Sequence, residues 1–557
     1  MFISIVFYEI ILFKPILFSE THTFTCSMKL FSILFEFFPN KFLKIAFLLS
    51  LILSSIIIYA NLIIIIISKS KSNKKILKAP IFGLLIGKDD NNSDVFVPEN
   101  SLYQNFLIIG SIGSGKTSSA MYPFTKQLIN YKSYDYNQKL SFLILDVKGN
   151  YYEKVVDFAS SCNRLNDVIV IDLSGKVKYN PLNKPNLKSS VLANRLKTIL
   201  LLFSPNNSES YWLDKVEQIL ECSIDFCRIY NDNYVTFNEI HSIVNDYSFF
   251  NSKIDGLRKD FINGKFSKEQ CYLLYHSIDF LKSDYFSLDS RTFNILKSEI
   301  TRITNVFISD FNVNNVFCPK KNEQTFYGFD DVLKNGKIVV LNMNIAEYKN
   351  LSKIIAAYLK LDFQSDVLKQ LSNANSNLRS SVFISDEYQE YVTSSDANFF
   401  SQSREAKCIN IVSTQSYTSI INTLGNLNSA KVIIQNLVNK LWFRTDDIFT
   451  IEDIQKQIGK EEKEKTSRTL SENSKESNYS YFSKEFISVD SNISESINSY
   501  YQNDFVYDYN YFTQKLKTFN CVAFLSDGTS IIKPQHLKMI PYFLSDEKNN
   551  YKNKKTN

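Results

Sequence analysis

Eight consecutive residues, Gly110-Ser111-Ile112-Gly113-Ser114-Gly115-Lys116-Thr117, carry the clearest chemistry in the sequence. They satisfy G-x-x-x-x-G-K-[ST], a loop whose backbone amides wrap phosphate oxygens. Gly110, Gly113 and Gly115 let the chain curl so that successive N–H groups point inward. Ser111, Ser114 and Ser118 complete the candidate phosphate-binding set. Lys116 is expected to place its ammonium between the β and γ phosphates, and Thr117 to offer its hydroxyl to Mg²⁺. The loop works only with a strand entering and a helix leaving. Asn105-Phe106-Leu107-Ile108-Ile109 is a short apolar run suited to a buried parallel strand. Residues 118–129 lack glycine and read as a helix despite Pro123, and that helix's N-terminus adds partial positive charge beneath the phosphates. The expected ligands are ATP and Mg²⁺.

Hydrolysis also needs acid groups. Ser381-Val382-Phe383-Ile384-Ser385 reads as a second short strand, and it ends in Asp386-Glu387. Asp386 is expected to hold Mg²⁺, through water or through the Thr117 hydroxyl, and Glu387 to polarise the attacking water. Asp146 and Asp172 also end apolar runs. Asp146 has no adjacent Glu and lies on the strand expected to follow the loop's helix; Asp172 leads into Asn180-Pro181-Leu182. The pair at 386–387 is therefore the one assigned.

The elements that position these groups sit in a chain of 557 residues, too long for one compact core. With 44% hydrophobic residues and only 14 Gly and 11 Pro, it is neither loop-dominated nor collagenous. A formal net charge of +6 permits contact with nucleic acid or anionic lipid without demanding it. Eight dispersed cysteines without a Cys-x-x-Cys pair, beside four histidines, read as reduced thiols rather than a zinc site.

Ile45 to Ile67 is apolar but for Asn61, long enough at about 1.5 Å per residue to cross a hydrocarbon layer of about 30 Å. Lys69, Lys71, Lys74, Lys75 and Lys78 follow and place the remainder in the cytoplasm by the positive-inside rule. Residues 2–18 are apolar but broken by Glu9, Lys14 and Pro15, so one span or two remain open, as does a start at Met28. The expected location is a bacterial plasma or inner membrane, in contact with lipid.

Four pieces occur in a telling order: GSIGSGKTSSAMYPF, FLILDVKGNYYEKV, VIVIDLSGKVKYNPL, and FISDEYQEY followed by SREAKCINIVSTQS. With the later QNLVNKLWFRTDD, they resemble the type IV secretion coupling proteins, the TraG/TraD class of the HerA/FtsK ATPases, over residues from about 96 to about 545. The resemblance implies a RecA-like α/β domain with a mostly parallel sheet, helices on both faces, an inserted all-helical domain and an N-terminal anchor. It gives Arg404 the role of an arginine finger reaching into a neighbouring subunit. It makes Gln415 the polar group that senses the γ-phosphate. It also implies a homo-hexamer that uses ATP to deliver DNA with its relaxase, or effector proteins, to the secretion channel and its components. Another HerA/FtsK-like translocase, a channel-assembly ATPase, or a substrate receptor using ATP only structurally are the alternatives.

The expected organisation is an anchor at 1–80, a nucleotide-binding domain split between 81–185 and 321–545, the helical insert at 186–320, and a Lys/Asn-rich tail at 546–557. In the insert, Tyr211-Trp212-Leu213, Val216, Ile219-Leu220, Ile224 and Phe226-Cys227 recur at helical spacing, a stripe that reads as core packing. Polar residues 460–505 read as a solvated hairpin or a disordered insert. The family's strand pair at this point favours the hairpin.

Overall fold

The computed structural model describes residues 82–146, 148–203, 210–372, 378–473 and 492–544. All belong to the second of the two units into which the chain divides, Pro80–Asn557. The expected span at Ile45–Ile67, the stretch 2–18 and the tail 546–557 lie outside the described residues. Among the described residues no helix is long and apolar enough to cross a membrane.

In chain order the strands are β1 (Gly83–Lys88), β2 (Asp94–Pro98), β3 (Phe106–Ile109), β4 (Ser141–Leu145), β5 (Val168–Ile171), β6 (Ile338–Leu341), β7 (Ser381–Ser385), β8 (Cys408–Thr414) and β9 (Asn439–Trp442). After them come β10 (Lys460–Asn473), β11 (Asn492–Phe505), β12 (Asn520–Phe524) and β13 (Gln535–Lys538). Eleven strands form one sheet in the order β2-β1-β13-β12-β9-β3-β8-β7-β4-β6-β5. From β9 to β5 all neighbours are parallel, and β12, β13, β1 and β2 extend the sheet antiparallel.

The central strands are short and mostly apolar because a parallel sheet is covered on both faces. Alternate side chains enter different cores. Phe106, Ile108, Phe142 and Ile144 pack with Phe124, Leu128, Val155 and Phe158, which come from helices Tyr122–Asn130 and Tyr151–Ser161. Leu107, Ile109, Leu143 and Phe383 face the other way and pack with Ile355, Leu359 and Phe363 of helix Asn350–Lys369.

Between β5 and β6 the longer described elements are helices, from Ser189–Leu201 and Ser210–Tyr230 to Ser290–Ile308 and Phe311–Phe317. The apolar stripe is packing: Leu213, Val216, Ile219, Leu220, Ile224, Phe226 and Cys227 are buried in the cluster that also covers the sheet's second face. Local chemistry sets the helix starts. Thr236 and Glu239 form a reciprocal capping box before Phe237–Asn245, satisfying two otherwise orphaned amides. The polar segment after residue 459 is a hairpin: β10 pairs antiparallel with β11 from Lys460↔Phe505 to Asn473↔Asn492, apart from the main sheet. The seven described cysteines are free thiols.

Candidate functional site

Strand order brings the chemistry together. β8 lies between β3 and β7, and β4 follows β7. In register, Ile109 stands opposite Thr414, Ser385 opposite Val412, and Leu145 opposite Ser385. Each strand therefore delivers its next residue to one edge of the sheet: Gly110, Gln415, Asp386 and Asp146. These residues, 110 excepted, line a cavity of about 690 Å³ with residues 111–118, Glu387 and Gln389.

The loop has the left-handed turns its glycines permit, with φ +76° at Gly113 and +97° at Gly115. The chain leaves it through one π-type turn, Thr117–Met121, before the α-helix begins at Tyr122. Pro123 falls within that helix's first turn, where its missing N–H costs little. Lys116 is buried and donates to the carbonyl oxygens of Gly110 and Ser111. Burial pushes its ammonium below the usual lysine range, while the carboxylates of Glu387 and Asp386 pull it back up. Ser114 Oγ is buried with no partner among the described residues.

Thr117 Oγ1 donates to Asp386 Oδ2 at 2.9 Å, which joins the loop to the tip of β7 across the intervening strand. Asp386 is buried. Burial, then the neighbouring charges of Asp146 and Glu387, raise its carboxyl above the ordinary aspartate range, and the Thr117 hydroxyl lowers it in part. Glu387 is half-buried in left-handed backbone (φ +50°). Its Oε2 accepts from Gln415 Nε2 at 3.2 Å and from Gln389 Nε2 at 2.8 Å. An acid-rich pocket beside a phosphate-type loop fits a divalent cation and a polyphosphate. Among the described residues no three acidic, His or Cys side chains could hold a metal alone. Magnesium in such sites takes most of its ligands from phosphate and water, and one hydroxyl and one carboxylate, Thr117 and Asp386, fit such a group.

The structure brings Ser111, Gly113, Ser114, Gly115, Lys116, Thr117, Ser118, Asp386, Glu387 and Gln415 to one cavity, with Gly110 at its rim. Arg404 is elsewhere. It precedes β8, whereas the site lies beyond the other end of that strand, whose 7 residues span about 23 Å at 3.3 Å per residue. It is exposed.

The two acids set aside differ. Asp172 accepts from Ser174 N and Oγ, capping a turn, and lines a separate cleft of about 880 Å³ at the tips of β4, β5 and β6. That cleft is larger but lacks the loop, so it is not the phosphate site. Asp146 belongs to the site: it lines the cavity and accepts from the Asn150 and Tyr151 amides that open the next helix. Gln389, Tyr122, Tyr542 and Phe543 also line the cavity and had no signal in the motif pattern. Tyr542 comes from more than 400 residues beyond the loop and stacks edge-on against Tyr122, ring centroids 5.2 Å apart.

Fold and site together define a mixed α/β protein with a large, mostly parallel sheet and a phosphate-type loop at the sheet's edge. Residues 381–493 match the family model described as the TraM recognition site of TraD and TraG. The bacterial conjugative coupling protein TrwBdeltaN70 has a similar structure, at a TM-score of 0.53 and 11% identity over 82% of this chain and 88% of that one. So does plasmid coupling protein TrwB in complex with the non-hydrolysable GTP analogue GDPNP, at a TM-score of 0.54 and 11% identity over 80% and 88%. TrwB in complex with ADP and Mg²⁺ gives 0.53 and 12% over 80% and 87%. No curated protein matches in sequence. The segment match likens residues 381–493 to TraD and TraG, and the fold is shared with the TrwB coupling proteins, both in line with the resemblance read from the motifs.

Proposed function

We propose that this chain is the membrane-anchored ATPase of a type IV secretion or conjugation system, binding ATP with Mg²⁺ and using its hydrolysis to deliver substrates to the channel. The observation that carries the reading is the Thr117–Asp386 contact of 2.9 Å, because it joins a phosphate loop to an acidic pair that begins 269 residues on in sequence. Amides of residues 111–117 and the Lys116 ammonium would cradle the β and γ phosphates. Asp386 and Thr117 would hold Mg²⁺, which when bound offsets charge on the leaving phosphate. Glu387 would accept the proton of the attacking water. Gln415 has two amide hydrogens, so it can hold Glu387 with one and the γ-phosphate with the other. Arg404 fits only as a finger donated to a neighbouring copy, which is the basis for a homo-hexamer. The match at 381–493 to a TraM recognition site supports a relaxosome protein as partner, with DNA and relaxase or an effector protein as cargo. The anchor rests on the apolar run at Ile45–Ile67, and the lysines that follow it support a cytoplasmic ATPase.

The test is steady-state ATP hydrolysis by the full-length chain in detergent, with magnesium present and then chelated. Lys116→Ala should abolish turnover, and Glu387→Gln should retain ATP but stop hydrolysis. Mixing Arg404→Ala with Glu387→Gln subunits should restore part of the rate if the finger acts in trans. Equal turnover in wild type and Glu387→Gln would remove the glutamate from the mechanism.

A further inference from the structure

Glu387 has a backbone that does not by itself fix where its carboxylate points. Its left-handed φ of +50° is strained for an L-residue, so side-chain contacts must hold the geometry. Those contacts are one-sided. Both amide donors, Gln389 at 2.8 Å and Gln415 at 3.2 Å, meet the same oxygen, Oε2. Oε1 has no partner among the described residues, which leaves one oxygen clamped and the other available to a proton.

The stronger clamp, Gln389, is itself anchored. Its Oε1 accepts from Thr414 Oγ1 at 2.8 Å, so its amide is oriented with the NH₂ toward the glutamate. Thr414 is the last residue of β8, next to Gln415. The short turn carrying Gln389, Tyr388–Glu390, is pinned on either side. Tyr388 Oη donates to the buried Asp396 at 2.5 Å, and Glu390 pairs with Lys353. Gln389 is buried, where its amide finds both partners without competition from water.

We propose that Gln389, with Thr414 behind it, is a positioning residue for Glu387: it clamps Oε2 so that Oε1 is presented to the attacking water. This rests on Glu387 acting as the base, as proposed above. Gln389 acts only through Glu387, so its loss should lower kcat and leave ATP capture alone.

The experiment measures kcat and KM for ATP on the full-length chain in detergent. Gln389→Glu keeps the acceptor for Thr414 but replaces the donor with a like charge. It should lower kcat by about ten-fold or more while KM stays within about two-fold, because a misplaced base loses rate rather than affinity. Thr414→Val, which frees the back of the amide, should lower kcat in the same direction by less, and Thr414→Ser should restore it. The double variant Gln389→Glu/Thr414→Val should be no slower than Gln389→Glu, since both act through one bond. A Gln389→Glu enzyme within two-fold of wild-type kcat, a change in KM alone, or additive losses would overturn the assignment. If Gln389→Glu does not fold, equal rates in Thr414→Val and Thr414→Ser overturn it. Should Glu387→Gln stop hydrolysis while these variants change nothing, only this inference fails. Should wild type show no Lys116-dependent hydrolysis, the functional reading falls and this inference with it.

Discussion

Gly115 is the most demanding position in the loop, and replacing it with alanine separates two costs. Its φ of +97° lies where an L-residue is strained, and a Cβ built there would sit 2.4 Å from Phe519 Cδ1 and 2.9 Å from Cε1. Phe519 cannot easily retreat: its N–H donates to Ser114 O at 3.1 Å, and its carbonyl accepts from Met539 N at 2.8 Å. Gly113 is a built-in control, with φ +76° and nothing within 4 Å of its Cβ. Gly113→Ala should cost only the backbone term, about 1–2 kcal/mol, or roughly 5- to 30-fold in ATP affinity. Gly115→Ala adds an overlap of about 1–3 kcal/mol. The total of about 2–5 kcal/mol weakens binding by roughly 30-fold to a few thousand-fold. Phe519→Ala in the Gly115→Ala background should return affinity to about the Gly113→Ala level. The assay is equilibrium titration of a fluorescent ATP analogue onto the full-length chain in detergent. Equal affinities for the two single variants, or no recovery on trimming Phe519, would refute the idea that the last β-strands press on the loop from behind.

Further perturbations test the frame around the site. Lys360 and Asp396 form a fully buried pair at 2.6 Å, so Lys360→Met should destabilise by about 3–5 kcal/mol by leaving the carboxylate uncompensated. A thermal scan would show a lowered midpoint, partly recovered by adding Asp396→Asn. Asp386 has a carboxyl raised by burial and by Asp146 and Glu387. A raised acid is penalised once it ionises, so this cost is absent below the ordinary aspartate value of about 4 and grows as pH rises through the raised one. Without nucleotide, Asp386→Asn should therefore melt higher than wild type at neutral pH, the gap closing in acid, while Mg²⁺-dependent hydrolysis is lost; an equal gap at all pH values would contradict the electrostatic account.

What the sequence disclosed follows the range of the physics. The phosphate loop was legible because its requirements are local: three glycines, a lysine and a threonine between an apolar run and a helix. The hairpin at β10 and β11 was legible only as one of two options, since a polar segment of this composition suits a solvated ribbon and a disordered chain alike. Asp146 was set aside in the sequence because its place in the cavity depends on strand order. Nothing near residue 146 states that β4 pairs with β7, and the motif logic favoured the acid with a glutamate beside it. Gln389 and Tyr542 are quieter still, because their contacts are set by residues 25 and more than 400 positions away.

The placement of Arg404 follows from the same strand order. A residue entering β8 and a residue leaving it are on opposite edges of the sheet, whatever the side chains do. Gln415 leaves β8 at the edge that carries the glycine loop and Arg404 precedes it at the other, so one strand presents an amide to the cavity and an exposed guanidinium to the far side. A single copy cannot bring that guanidinium to its own site without unravelling β8, whose seven residues are all buried. If Arg404 takes part in hydrolysis, the participating nucleotide must belong to another subunit, and turnover per chain should rise with protein concentration until assembly is complete.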